Sequence, residues 1–396
     1  MKHLLTGHEH YYTVGRVKFK SKIEACIFAT KVGMPVEWQF ACHDTYSKYD
    51  WSVEPEHSLD YYYDKRAREI REKYDYVIIA YSGGADSHNM LTSFVRQGLH
   101  VDEIFVAHVN KMAENTVDLR LENTEADNIE AEYVLNVLPK LRAISNRIPA
   151  TKITCVDMSD RCINAVTEDS EGWVHTATDF RNVYNLRFDW FSNSDFRQAL
   201  DKLNKNVCIV TGAEKPKTYI KDGVLYTLFN DIAYGSGTPL PYGKDYGYVN
   251  LTGEFFYWDN STADLVCKQV HSIKKQLEAN PELANFWDMG KIKNYRLVTT
   301  RIHERCIIPW IYTTWDNGFQ TKKAVNGLWT TELDDFWRDI ADDRQIELYD
   351  GGLKYLEEHA KDFVGYENGV PIGLKVCAKH YAVGQMKNLV KLALNN

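Results

Sequence analysis

The stretch YVIIAYSGGADSHNMLTSFVRQG, residues 76–98, limits the fold more than any other part of this chain. It opens with a continuous apolar run, YVIIAY (76–81), that holds two isoleucines and a valine. β-Branched residues favour extended backbone, and a run that is apolar at every position fits a strand covered on both faces, as in a parallel sheet. The run breaks at Ser82-Gly83-Gly84-Ala85-Asp86-Ser87, a tight turn. Met90, Leu91, Phe94 and Val95 then recur at helical spacing, and Gly98 stops the helix.

The same alternation continues. EIFVAHV (103–109), KITCVDM (152–158) and VCIVTGA (207–213) read as further strands, with a polar helical segment over about 120–138. Apolar strands alternating with helices predict an α/β fold, an open parallel sheet wrapped by helices. Upstream, Ser21 to Val32 reads as a helix closed by Gly33, and PVEWQF (35–40) as a strand. Leu59 to Tyr74 reads as a helix with one wet face, and its charge run KRAREIREK (65–73) as solvated. From about 224 to 258, short Gly-punctuated aromatic stretches read as hairpins or a loop-rich insert. Residues 263–279, 332–343 and 353–363 read as helices. Three parts are expected: an N-terminal α+β extension (1–73), the parallel-sheet domain (74–235), and a hairpin insert with a mostly helical substrate or cap region (236–396).

A chain of 396 residues fits two or three such units. With 10 Trp, 25 Tyr and 16 Phe it can fill a large core without disulfides. Acidic residues outnumber basic ones, 55 to 47, so the overall field disfavours generic nucleic-acid binding. No apolar run approaches the roughly 18 to 20 residues of a membrane helix. MKHLLTGHEHYY lacks the apolar stretch of a signal peptide. Eight cysteines without a CxxC pair read as free thiols of a reducing cytoplasm.

The turn is where the chemistry lies. Adjacent glycines let backbone approach a ligand without Cβ interference. The N–H groups of the turn and the first helical turn point one way, and the helix dipole adds positive potential. Ser82 and Ser87 add hydroxyl donors. Together these make an anion cradle suited to phosphate or pyrophosphate. It is not a Walker A loop, because no GxxxxGK[ST] occurs and no lysine sits in the turn, which argues against ordinary γ-phosphoryl transfer. Taken alone, a Gly-Gly turn can be only a turn, with Asp86 or Ser87 as its helix cap. VTGAEKPKTY (210–219) follows another buried strand and brings Gly212, Lys215 and Lys217 to a strand end, where a lysine can offset charge on a phosphate or be a solvated turn residue.

Ser82-Gly83-Gly84-Ala85-Asp86-Ser87 resembles the SGGxDS signature of the PP-loop ATP pyrophosphatase superfamily, in the strand–loop–helix setting that family uses. That group includes tRNA lysidine synthetase, tRNA thiolation enzymes, the queuosine-pathway nitrile synthase, the ATP domains of GMP and asparagine synthetases, and phosphoadenosine phosphosulfate reductases. The resemblance covers roughly residues 74–235. It implies that ATP is cleaved between its α- and β-phosphates to adenylate an acceptor, which a nucleophile then attacks, displacing AMP. By position, it implies that Ser82, Gly83, Gly84, Ala85, Asp86 and Ser87 bind pyrophosphate, that Asp86 holds Mg²⁺ directly or through water, and that Ala107, His108 and Val109 line the adenine and ribose. Gly212 and Lys215 match the family's late Gly-plus-basic loop, Lys215 acting on the α-phosphate. The implied acceptor is a nucleobase, a nucleotide-linked group or a small carboxylate or amide.

The chain departs from several branches. The reductases carry a Cys in an E-C-G-(I/L)-H context, and Cys377-Ala378-Lys379-His380 lacks that Glu and Gly. Sulfur-inserting relatives use CxxC pairs. Met1 is followed by Lys2, so the N-terminal glutaminase nucleophile of some relatives is missing, and a separate ammonia- or sulfur-donating protein is the expected partner. Two alternatives remain at this point: a reductase-like protein that binds an adenylyl sulfate, and a nucleotide-binding interaction protein without catalysis.

Other constellations are weaker. Cys267–His271, His303–Cys306 and Cys377–His380 each offer two ligand types at short spacing, enough for a zinc or iron–sulfur site if they converge. Buried thiols and core histidines explain them at lower cost. His3, His8 and His10 read as a mobile tail. The aromatic segment 301–329 is either an acceptor pocket that stacks a planar group or aromatic core. Asp157, at a strand end, is either a site residue or a helix cap.

Overall fold

The computed structural model describes residues 10–108, 132–160, 199–200, 202–212, 214–231, 251–292, 302–312, 315, 341–367 and 370–387. Tyr11–Val14 (β1), Val17–Phe19 (β2) and Glu37–Gln39 (β3) form a small antiparallel sheet in the order β2-β1-β3. Lys22–Val32 (α1) lies between β2 and β3; Ser21 accepts from Glu24 N at its start, and Gly33 closes it in the left-handed region at φ +64°. Leu59–Lys73 (α2) is likewise capped by the Ser58 hydroxyl and leads into Tyr76–Ala80 (β4).

β4 begins the central sheet. It continues through Ala85–Arg96 (α3) to Glu103–His108 (β5), then through Leu138–Ile144 (α4) to Lys152–Asp157 (β6), and later Val207–Thr211 (β7). The fifth strand is Leu251–Phe255 (β10). All neighbours are parallel, in the order β10-β7-β4-β5-β6. The first strand is therefore central; the chain builds outward on one side, then on the other. This is the doubly wound arrangement, in which ligands bind at the carboxyl ends where the winding direction reverses, here between β4 and β7. Val77 and Ile79 pack into the larger core, which takes Tyr63, Ala67 and Ile70 of α2 and Met90, Leu91 and Phe94 of α3. Ile78 and Ala80 face a second cluster with Phe105, Ile209 and Leu200. An α/β fold with a five-stranded parallel sheet flanked by helices is thus the framework.

Lys217–Lys221 (β8) and Val224–Asn230 (β9) form a hairpin across Asp222-Gly223, both at positive φ, the geometry a two-residue turn needs. Ala263–Ala279 (α5), Glu304–Ile311 (α6) and Asp343–His359 (α7) follow. The last described elements are Val364–Glu367 (β11), Val370–Leu374 (β12) and Ala378–Gln385 (β13), the last pairing with β9. Among the described residues, no helix is long and apolar enough to cross a membrane.

Four sequence expectations need correction or extension. Residues 224–258 are not all hairpin: Leu251–Phe255 is the outer strand of the parallel sheet, so that sheet draws strands from both sides of residue 235. The region after 260 is mostly helical among the described residues, as expected, but it also ends in three unexpected strands, of which β13 completes a sheet with β8 and β9. The run 65–73 is not wholly solvated. Arg66 is buried, donating to Glu254 Oε2 at 2.9 Å and to the carbonyls of Phe255 and Phe256, so it ties α2 to the edge strand. His10 is no tail residue: its ring lies against Tyr12 and Trp38, and burial lowers its pKa to about 4. His3, His8, most of 120–138 and most of 332–343 lie outside the described residues.

Candidate functional site

The Ser82–Ser87 turn sits at the carboxyl end of β4, at the reversal point of the sheet. Local bonds shape it. Ser82 N donates to Ser87 Oγ at 3.2 Å, the two hydroxyls lie 3.2 Å apart, Gly84 N donates to Ser82 Oγ at 3.3 Å, and Ser87 Oγ donates to Gly84 O at 3.2 Å. Gly84 is the N-cap of α3 and has no side chain to bond the first turn. The N–H groups of Ala85, Asp86 and Ser87 have no intrahelical acceptor, since the first turn of any helix lacks one, and the α3 dipole adds to their potential.

Two close approaches fix the turn. Gly83 has φ +74°, and a Cβ there would stand 2.8 Å from Val137 Cγ2 and 2.9 Å from Val137 N. A Cβ on Gly212, just past β7, would stand 2.9 Å from Ser87 N and 3.0 Å from Asp86 C. Both positions need glycine because backbone packs directly on backbone. Gly212 is therefore seated against the loop by direct backbone contact.

Asp86 is the polar centre. Its Oδ2 accepts from Lys215 Nζ at 3.1 Å, its Oδ1 accepts from the Tyr312 hydroxyl, and its carbonyl accepts from the Tyr257 hydroxyl at 2.8 Å. Asn89 Nδ2 supports Tyr257 at 3.1 Å. Glu304 stands 4.0 Å from Lys215 Nζ. Burial works against the Lys215 ammonium, but Asp86, Glu304 and Glu214 outweigh it and raise its pKa, so the lysine is charged. Burial and then Asp86 hold the Tyr312 hydroxyl well above the ordinary tyrosine range, so it stays a proton donor. The Asp86 side chain keeps 25% exposure against 10% for Lys215, so the open side of the pair is the carboxylate. Lys217, in β8, pairs with Glu214 at 3.2 Å instead.

On the other flank, Lys140 Nζ donates to Gly83 O at 2.7 Å and lies 3.9 Å from the Trp315 ring centroid. Among the described residues, Thr211 Oγ1, at the end of β7, and Trp315 Nε1 are buried without a hydrogen-bond partner. Further along the edge, His108 stacks on Tyr133 at 4.5 Å, and its Nδ1 lies 3.7 Å from Asp157 Oδ2. Asp157 also accepts from Ser159 N at 2.9 Å, a local cap. Ala107 precedes His108 on β5, and Val109 lies outside the described residues.

The turn, Gly212 and Lys215 therefore come together, with Ala107 and His108 one strand away. The six metal candidates do not come together: among the described residues, no group of three or more His, Cys, Asp and Glu is placed to hold a metal. Cys267 and His271 bond the Trp51 carbonyl; His303 stacks on Trp287 at 3.8 Å and meets Phe286 O; Cys306 packs against the large core; Cys377 directly precedes β13; and His380 faces Tyr219. Sequence reasoning did not single out Tyr257, Tyr312 or Lys140. Tyr312 lies inside the 301–329 segment, and of that segment's described residues it alone bonds Asp86. Tyr257 sits two residues past the carboxyl end of β10, so it would have been a candidate had 251–255 been read as a parallel strand. Compared with known proteins, the chain matches no protein-family model and no curated sequence.

Proposed function

We propose that this chain is an ATP-dependent adenylating enzyme of the PP-loop kind, which cleaves ATP to AMP and pyrophosphate to activate an acceptor. The observation that carries this reading is the Ser82–Ser87 cradle at the sheet reversal point, with charged Lys215 on Asp86 beside it. The first-turn N–H groups and the Ser82 and Ser87 hydroxyls bind the pyrophosphate portion. Lys215 offsets charge on the α-phosphate as an acceptor oxygen attacks phosphorus and the bond to the bridging oxygen breaks, releasing pyrophosphate. Ala107 and His108 line the nucleoside side.

Asp86 offers the hard carboxylate oxygen that Mg²⁺ takes together with phosphate oxygens and water, and it is the residue that would hold the ion. Bound there, the ion would supply charge neutralisation on the phosphates. Lys215 and Tyr312 orient that carboxylate, one at each oxygen, and a quarter of the Asp86 side chain stays exposed. The acceptor class is a nucleobase, a nucleotide-linked group or a small carboxylate or amide, with the nucleophile brought by a partner.

The test is product identity after incubation with ATP, Mg²⁺ and cell extract as acceptor source. AMP with pyrophosphate is expected, falling by about 100-fold or more in Asp86→Ala. ADP with phosphate, or AMP release unchanged in Asp86→Ala, would overturn the reading.

A further inference from the structure

Two tyrosine hydroxyls meet Asp86 at different atoms. The Tyr257 hydroxyl donates to its backbone carbonyl at 2.8 Å, and the Tyr312 hydroxyl donates to its side-chain Oδ1. Both phenols are buried, and both come from far along the chain, past β10 and past α6. Each is held in turn. Asn89 Nδ2 donates to the Tyr257 hydroxyl at 3.1 Å. Tyr63, on α2, donates to Ile311 O at 2.9 Å, the carbonyl just before Tyr312, and accepts from Gln269 Nε2 at 3.0 Å. The rings of Tyr63, Tyr257 and Tyr312 pack together with centroids 5.8 to 6.1 Å apart, and the Tyr257 and Tyr312 hydroxyls also interact with each other. Phenylalanine would fill such an apolar cluster as well. What the hydroxyls add is their convergence on one residue of the glycine turn.

The two contacts fix different things. Asp86 O shares a planar trans peptide with the Ser87 N–H, so holding the oxygen fixes the direction of that N–H. Gly212 packs on the same peptide, since a Cβ there would stand 2.9 Å from Ser87 N and 3.0 Å from Asp86 C. Tyr257 thus seats a backbone donor of the anion cradle. Tyr312 bonds the carboxylate instead and, with Lys215 on Oδ2, sets how Asp86 presents its oxygens. We propose that Tyr257 and Tyr312 are positioning residues with separate tasks: Tyr257 aligns the backbone N–H groups for a pyrophosphate group, and Tyr312 aligns the Asp86 carboxylate for Mg²⁺. The proposal rests on the nucleotide reading above and deepens it. Groups that hydrogen-bond a metal-holding carboxylate fix its orientation, and losing one weakens metal affinity although it never touches the metal.

Calorimetric titration of the full chain with inorganic pyrophosphate, once in EDTA and once in Mg²⁺, tests this division. The ratio of the two affinities measures what Mg²⁺ adds. Tyr312→Phe should cut that ratio by about tenfold and leave the affinity in EDTA within about twofold. Tyr257→Phe should do the reverse, weakening pyrophosphate in EDTA by about fivefold and leaving the ratio within about twofold. Tyr63→Phe frees the Ile311 carbonyl beside Tyr312, and Asn89→Ala frees the Tyr257 hydroxyl. Each carries the expectation of the tyrosine it supports and serves where that tyrosine's variant does not fold. An unchanged ratio in Tyr312→Phe, or an unchanged affinity in EDTA for Tyr257→Phe, overturns the proposal and leaves the loop reading standing. Equal changes of both quantities in both variants mark the tyrosines as merely structural and also overturn it. If wild type binds pyrophosphate and Mg²⁺ adds nothing, the task of Tyr312 falls while the loop reading stands. If wild type binds pyrophosphate in neither condition, the loop reading itself falls, and this inference with it.

Discussion

Two buried lysine–aspartate pairs in this molecule share their chemistry and differ in what surrounds them. Lys22 on α1 meets Asp231 Oδ2 at 2.6 Å, where the Tyr12 hydroxyl also donates at 3.2 Å; Cys377 N donates to Oδ1 at 3.1 Å. The Asp231 amide donates to Cys377 O at 3.0 Å. The Asp231 side chain is 1% exposed, and its neighbours come from β1, α1 and the segments around β9 and β13. That cluster is closed, and its work is to fasten the N-terminal sheet to the C-terminal strands. Lys215–Asp86 is longer, at 3.1 Å, and Asp86 keeps a quarter of its side chain open beside a glycine turn. An ion pair sealed on all sides can only hold structure. One left open at the carboxyl edge of a parallel sheet can exchange partners with a ligand, and the functional reading depends on that difference.

The largest effect separating the pairs should come from Asp231→Asn. It leaves the buried Lys22 ammonium without its countercharge, a loss of about 3–5 kcal/mol in denaturant unfolding. Burial opposes the Lys22 charge, but Asp231 outweighs it and raises its pKa. The contribution of this pair is therefore complete below the ordinary lysine range and lost as pH rises through the raised value. Buried histidines add acid sensitivity: His10 is one such group, and His303 is another. Burial lowers its pKa to about 4, against the weaker opposing effect of the Phe286 carbonyl. The unfolded chain takes up the proton first, so stability should fall between pH 6.5 and 4 by about 3 kcal/mol. His303→Gln should remove its share of that slope and leave the share of His10, as unfolding at pH 7 and pH 4 would show; an unchanged slope would contradict the assignment to His303. Asp86→Asn should cost less, about 1–2 kcal/mol, because Glu304 remains near Lys215 and the pair is partly wet. A cost equal to that of Asp231→Asn would erase the distinction between an open and a closed pair.

The strand–turn–helix from Tyr76 to Arg96 was legible because each part carries a local signal: an apolar run, two glycines, then helical spacing. β5 and β7 were legible for the same reason. β10 was not. LTGEF carries a glycine and a glutamate, and it becomes a sheet strand only by pairing with β7 and by burying Glu254 against Arg66, 188 residues earlier. Nor does the charge run 65–73 show from spacing which arginine turns inward; a distant carboxylate decides that. The site divides in the same way. Asp86, Gly212 and Lys215 stand on or beside strand ends that the sequence announces. Tyr312 reaches Asp86 across 226 residues, and Lys140 reaches Gly83 across 57, through contacts that no local pattern encodes.

The most direct test is a crystal structure with α,β-methylene-ATP and Mg²⁺, because this analogue cannot break at the α–β position. The account predicts its phosphates on the Ser82–Ser87 turn, with Asp86 and Lys215 beside them and adenosine toward Ala107 and His108. Phosphates bound elsewhere on the chain, or an analogue that does not bind while ATP turnover persists, would contradict it.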